Sequence, residues 1–523
     1  MKAFIWFLAI TIVVATSIGC KKELLDVKNE NSYTDVTYFK SQKQFNEAVI
    51  ATYAVFNNGG MMSREWYFIF DLLGNDADKA QPLVGTELEL ADYTFNNNNE
   101  DISMLWASLY RMIFRSNLAL YVVDKWLPES ETDKELKKQY IAEAHWLRGV
   151  AYFYLVTNWG RVPVKLSYDD AHNNSNPRST VEEIWNIIEN EFKQSVPDLP
   201  VAYPSTDKGR ATKGAAVGFL GKSYLYQKKY DSARVELEKL TISPYSYELD
   251  PNFNHLFSDD NINSPEIVFA VNHVYTTANT QYYMFGGWEG SDGRTAHTGR
   301  AQEYGFNDWQ NVVASDALVG SYKYNNPVSG ASYVDPRAKY TYYSNAANGG
   351  DVDYCNSCSG GTIPYPYDLF GNSFRKYEPY EVQKFTEAPM SGINTIVMRY
   401  ADILLMLAEC NIDGTSPDIK KGIKYINDVR NRQDVMAVNY PLTLSQNEAQ
   451  MALRRERRIE LAGEQSRWFD LIRWGIAKEV LKAEKPAGQG QQSFQDKMIL
   501  FPIPSAEIDA NSAVATDVSN DWN

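Results

Sequence analysis

The sequence predicts a mainly α-helical protein: tetratricopeptide-like helical-hairpin repeats, about four units, carrying a loop-rich irregular ligand-binding region. Three observations predict it. Long stretches place apolar residues three and four apart, one of them carries the small-residue pattern of a helical hairpin, and in two further stretches the period disappears. With 523 residues, 44% hydrophobic, the chain exceeds what one core usually serves, so either two domains or an extended repeat array is expected.

The helical scaffold is expected over about residues 40–57, 101–241 and 398–483. Ile102, Leu105, Trp106, Leu109 and Ile113 trace one helical face, which places Trp106 in the core. A capping box opens a later helix, with Thr180 accepting from the amide of Glu183 and Glu183 reaching back. In "ATKGAAVGFLGKSYLYQKKYDSARVELEKL", residues 211–240, Leu220, Gly221, Tyr224, Ala233 and Leu237 stand at tetratricopeptide offsets, with small residues where paired helices approach. "MRYADILLMLAEC" with "IKKGIKYINDVRNR", and "NEAQMALRRERRIELAGE" with "SRWFDLIRWG", fit the scheme more loosely.

The irregular segments run over about 58–100 and 245–395, the second rich in Tyr, Asn, Gly and Pro. Structureless runs of such length are usually functional, so both are expected to lie over one face of the scaffold and make a ligand surface. The amino terminus reads differently. Lys2, the uncharged run Ala3–Ile18 and Gly19 are in the order of a secretory signal peptide, residues 1–19, too short for the roughly 20 apolar residues of a lasting span. Gly19 before Cys20 resembles the lipobox of bacterial lipoproteins, with Ser17 where that pattern usually has Leu. Cys20 would then be the lipidated first residue of a mature domain, 20–523, held on a bilayer by acyl chains at roughly 0.8 kcal/mol per buried methylene.

The net charge of -15 argues against nucleic acid or an anionic membrane surface as partner, because both need clustered Lys and Arg. "GFLGKSYL" mimics the end of a phosphate loop at Gly221, Lys222 and Ser223, but Ala216 stands where the first glycine belongs and the spacing is helical. The histidines at 145, 172, 255, 273 and 297 are scattered, and Asp259, Asn261 and Asn263 start a calcium-loop pattern that lacks its later Gly and Glu; no metal or cofactor is expected. Cys355 and Cys358, in a Gly-rich loop, could close a small disulfide after export or stay as thiols. Cys410 lies in an apolar helix, where a thiol packs. The charges of "RRERRIELAGEQSRWFDLIRWG", including Glu456, Arg457, Arg458, Glu460 and Arg467, alternate in sign and are expected to pair three or four apart and tie helices together.

The aromatic content, 35 Tyr, 23 Phe and 12 Trp, exceeds what helical packing requires, so some rings are expected to be exposed for binding. From Tyr275 to Trp309 eight rings are interleaved with Gly, Asn, Asp and Arg. A pyranose presents an apolar C–H face that lies on an indole or phenol, while polar side chains meet its hydroxyls. The platform candidates are Trp288, Tyr283, Trp309 and Tyr282, with Arg294 and Asp292 as polar neighbours; the earlier segment adds Trp66, Asn75 and Asp76. Hydrolysis would need two carboxyls at a defined gap, for which Asp76, Asp78, Glu289 and Asp292 are the candidates.

In order along the chain, "AEAHWLRGVAYFYLVTNWGRVPV", "RATKGAAVGFLGKSYLYQKKYDSA", "MRYADILLMLAEC", "ERRIELAGEQSRWFDLIRWG" and "LFPIPSAEID" resemble the landmarks of the SusD/RagB family. The resemblance spans nearly the whole chain. It implies a surface-exposed outer-membrane lipoprotein without cofactor or catalysis, which captures glycans, or in the RagB branch peptides, and caps a SusC-like TonB-dependent transporter. It also implies an acidic position after the first helix, near the ligand face, matched here by Asp76. The alternatives are peptide capture and, in another class, a glycoside hydrolase. One departure is the end, "ANSAVATDVSNDWN", which lacks the family's Asn-Pro and Pro-Gly pairs.

Overall fold

The computed structural model describes residues 38–58, 60–62, 64–80, 83, 85–173, 175–258, 261–273, 298–306, 309–354, 362–378, 391–485, 494–517 and 522. Among them the architecture is mainly helical, with twelve helices of eight residues or more: α1 Gln42–Tyr53, α2 Arg64–Leu73, α3 Glu100–Asp124, α4 Glu131–Trp159, α5 Val181–Ser195, α6 Lys213–Tyr226, α7 Tyr230–Lys239, α8 Tyr400–Asp413, α9 Ile419–Arg430, α10 Gln446–Glu460, α11 Arg467–Trp474 and α12 Ala477–Glu484. None of the described helices is long and apolar enough to cross a membrane.

Local sequence sets the helix starts. Ser41, Thr180 and Ser445 each accept from the amide three residues on, and Gln44, Glu183 and Glu448 return the bond to the cap, satisfying amides that the first turn leaves unpaired. Successive helices then pack as neighbours: α3 on α4, α4 on α5, α6 on α7, and α8 on both α7 and α9. The α6–α7 contact requires Gly221, because a Cβ there would lie 2.6 Å from the Leu237 side chain. The interior is more aromatic than the sequence reading allowed. Trp66, Trp106, Trp126, Trp146, Trp159 and Trp468 are all buried, and Trp146 packs at 4.6 Å from Phe269 and edge-on to Phe219 at 5.6 Å. Large rings fill the space between long helices, so much of the aromatic excess is scaffold.

Between α7 and α8 the described residues form short helices and short strands, the strands joined in two-stranded antiparallel pairs. Ile267–Val271 pairs with Thr395–Arg399 and lies against the scaffold through Phe269. Ala77–Lys79 pairs with Val312–Ala314, which fastens the segment after α2 to the much later one.

The charges of α10 do not pair three and four apart along the helix as expected; they reach other elements. Arg457 bonds Asp402 on α8 and Asp470 on α11, at 2.8 and 2.7 Å, and Arg458 bonds Glu484 on α12 at 2.5 Å. Glu456 meets Arg337 and Arg430, and Glu460 meets Arg337, Arg399 and Arg432. Burial alone would raise the Glu460 pKa, yet Arg432, Arg399 and Arg337 outweigh it and hold the carboxyl far below the usual range. The helix is amphipathic in a second sense: its buried face is ionic, and its partners come from loops and from neighbouring helices.

Candidate functional site

A cavity of about 510 Å³ opens where the two irregular segments meet. Its walls are the strand pair Ala77–Lys79 and Val312–Ala314, the short helix Tyr367–Phe370 with Gly371 and Asn372, and the carboxyl end of α12 at Glu484 and Lys485. Two others, about 380 and 310 Å³, flank Lys208–Arg210. The ladder aligns Asp78 opposite Val313, and the turn before it is closed by Ser315, whose hydroxyl donates to the Asn75 carbonyl at 2.7 Å. Asn75 takes φ +56, a left-handed conformation that asparagine tolerates better than most side chains.

The lining is mixed in sign. The Asp78 side chain is 42% exposed, and its Oδ1 accepts from the Lys79 amide at 2.8 Å. Lys79 Nζ is spent on Asp92 Oδ1 at 2.7 Å. Lys485 is buried, and its Nζ forms an ion pair with Asp78 Oδ1 at 3.6 Å. Burial lowers the pKa of its ammonium, Asp78 and Asp92 draw it back up, and Lys79 adds to the lowering. Glu484 is bound by Arg458, Arg467 and the Asn75 amide. Asp316 accepts from Asn372 Nδ2 at 3.4 Å, while Asn372 Oδ1 accepts from Ser344 and Asn348. On the apolar side Leu369 is 79% exposed at the mouth, with Tyr367 and Phe370 beside it. Such a wall offers hydroxyl-bearing molecules both acceptors and donors, with a small apolar strip.

The sequence candidates fall into three groups. Asn75 lines the cavity, and Trp309, half-buried, precedes the lining residue Gln310; the Trp309 amide donates to the Gln302 carbonyl at 3.2 Å. Trp66 and Asp76 are enclosed instead. The Trp66 ring packs on Phe70 at 4.5 Å and Tyr154 at 4.7 Å, leaving no open face, because α2 is buried along almost its whole length. Asp76 lies 3.4 Å from Arg458 Nε; burial raises its carboxyl to about 6 against the pull of Arg458 and Arg467. Tyr282, Tyr283, Trp288, Asp292 and Arg294 lie outside the described residues, as do Cys20, Cys355, Cys358 and Glu289. Arg300, which follows them, is enclosed: its guanidinium lies 3.6 Å from the Tyr377 ring centre and bonds Asp71 at 3.0 Å.

Sequence reasoning passed over Lys485, Asp316, Asn372 and Tyr367. Lys485 had no signal, since it ends a short charged helix far along the chain from Asp78. Asp316 follows Ser315, the cap of the short helix Asp316–Ser321, and reads as ordinary cap chemistry.

A model of the SusD family matches residues 249–517, and a second, described as starch-binding associating with outer membrane, matches 23–225. SusD-like protein P25 of Formosa agariphila is 24% identical over 514 residues, which cover 92% of this chain and 93% of that one. Among solved structures, a SusD superfamily protein from Bacteroides vulgatus has a TM-score of 0.74 at 23% identity, covering 91% of this chain and 98% of its own. A laminarin binding SusD-like protein has a TM-score of 0.71 at 23% identity, covering 90% and 98%. At these identities the structural likeness speaks for the fold, and the first model, matching more than half of the chain, speaks for descent: the chain belongs to the SusD family.

Proposed function

We propose that this chain is a non-catalytic, cell-surface lipoprotein that captures an oligo- or polysaccharide and passes it to a SusC-like TonB-dependent transporter in the outer membrane. The observation that carries the reading is the cavity of about 510 Å³ at the junction of the irregular segments, lined with hydroxyl-compatible groups of both signs, in a chain of the SusD family. A laminarin binding relative of the same fold supports a glycan as the ligand. The description of the amino-terminal match, associating with outer membrane, supports the location, and Cys20 is the proposed tether.

The division of labour follows from the chemistry. Trp288, Tyr283, Trp309 and Tyr282 are the proposed rings for the apolar faces of the sugar, with Arg294 and Asp292 as polar neighbours, while the cavity takes its hydroxyls. Capture needs only modest affinity, since a tight complex would release its cargo slowly.

The test is affinity electrophoresis against a panel of polysaccharides, with reducing ends assayed in parallel. Retarded migration without reducing-sugar release is the expected result. Release would make the protein a glycoside hydrolase, and retention of peptides but of no polysaccharide would make it a peptide receptor.

A further inference from the structure

The cavity of about 380 Å³ beside Lys208–Arg210 shares no lining residue with the one described above. Tyrosines mark it out. Tyr203, Tyr245 and Tyr247 all line it, and each is only half-buried. The Tyr245 and Tyr247 rings are nearly parallel, at 10°, with centres 6.2 Å apart, and Tyr400 extends the row 6.3 Å beyond Tyr247, which leaves Tyr245 as its outer ring. Tyr247 is seated against Gly214, at the start of α6, where a Cβ would lie 2.9 Å from two of its ring carbons. Tyr203 is fixed by Gln139, whose amide donates to its hydroxyl at 3.3 Å.

The cavity is preformed. The Lys208–Arg210 strap along its side is pinned twice: Asn272 Nδ2 donates to the Lys208 carbonyl at 2.9 Å, and Lys208 Nζ donates to Asn263 Oδ1 at 2.7 Å. Of the two charged residues in the wall, Arg210 is engaged by Glu143 and Asp207, while Lys208 is exposed; no carboxylate lines the cavity. Half-exposed phenols beside an exposed ammonium and the exposed Ser246 match a sugar ring, whose C–H face lies on the phenols and whose hydroxyls take the polar groups. An extended peptide would need a free strand edge to pair with. The strand Ile267–Val271 is already paired with Thr395–Arg399, and Asn272, which follows it, is tied to the strap.

Resting on the glycan reading above, we propose that this cavity is a second sugar site, in which Tyr245 and Tyr203 take the apolar faces of sugar units and Lys208 donates to a hydroxyl. Two modest sites on one receptor raise its avidity for a polymer without making either one slow to release.

Affinity electrophoresis tests it with laminarin and xyloglucan beside the rest of the polysaccharide panel. Ala202→Trp fills this cavity from an exposed position in its wall, and Leu369→Arg obstructs the mouth of the first cavity from another. The polysaccharide that retards the wild-type protein should still retard Leu369→Arg, more weakly, and adding Ala202→Trp should remove what remains. In the otherwise wild-type protein, Ala202→Trp and Tyr245→Ala should each weaken retardation about two- to tenfold, the scale of one stacked ring. Melting temperatures are read alongside; if Tyr245→Ala loses stability together with binding, Ala202→Trp decides. Retardation unchanged by Ala202→Trp in both backgrounds overturns the second site, as does its complete loss in Leu369→Arg alone, and in either case the glycan reading stands. A wild-type protein that no polysaccharide retards overturns the glycan reading itself.

Discussion

Arg399, the residue before α8, donates from Nη1 to Glu460 Oε1 at 2.7 Å and from Nη2 to the Glu460 backbone carbonyl at 2.8 Å, which locks the last residue of α10 to the strand Thr395–Arg399. The same guanidinium holds Glu464 and Glu266. Glu460→Ala takes from the buried Arg337, Arg399 and Arg432 a carboxylate that all three share, leaving Glu266 as the common partner of the last two, so it should cost about 3–5 kcal/mol, read as a lowered denaturant midpoint. Glu460→Gln, which keeps the shape and loses the charge, should lose less. A cost below about 1 kcal/mol for the alanine variant would show that the network is not a stability element.

Gly221 and Leu237 make a second testable pair. Gly221→Ala places a methyl 2.6 Å from the Leu237 side chain, so the helices must part or Leu237 must move. We expect about 1–3 kcal/mol of destabilisation, the range for overpacked cores, despite the better helix propensity of alanine. Leu237→Ala destabilises by itself, but in the double variant the two losses should sum to clearly less than additive.

Asp101 gives a pH prediction with a definite sign. Burial raises its carboxyl from 3.8 to about 8, and Glu87 and Glu65 add to the rise against Arg64. A folded pKa above the unfolded one means that the folded state holds the proton more tightly. Stability from this group is therefore full below about pH 4 and falls as pH climbs towards 8, at a limiting slope of about 1.4 kcal/mol per pH unit. Asp101→Asn, a permanent mimic of the neutral form, should match wild type near pH 4 and exceed it above pH 8 in thermal melts. Parallel curves for the two proteins across that window would contradict it.

Trp309→Ala and Trp288→Ala address the aromatic platform. Each should weaken neutral-glycan retardation about two- to tenfold, as expected for one stacked ring, and leave the melting temperature nearly unchanged. An unchanged affinity in both would remove these rings from the site.

How much of this was legible depends on the range over which each signal acts. The capping box at Thr180 and Glu183 and the α6–α7 hairpin were readable, because their causes lie within a few residues. The Arg457 and Arg458 side chains were readable as charges, but their partners Asp402, Asp470 and Glu484 were not, since α8, α11 and α12 meet α10 only in three dimensions. Trp66 illustrates the opposite error. A tryptophan in a non-repeating segment resembled a ligand platform, but α2 brings it against Phe70 and Tyr154. Asp78 was readable as a candidate carboxylate, but its partner Lys485 was not, for the same reason as the arginine partners: nothing in either neighbourhood announces the other.

The three-residue ladder between Ala77–Lys79 and Val312–Ala314 has one more consequence. It joins stretches of chain that lie on either side of helices α3 to α7, so this wall of the cavity is complete only once those helices have been synthesised. An amino-terminal fragment that stops before Val312 lacks half of that wall, however well its early helices pack.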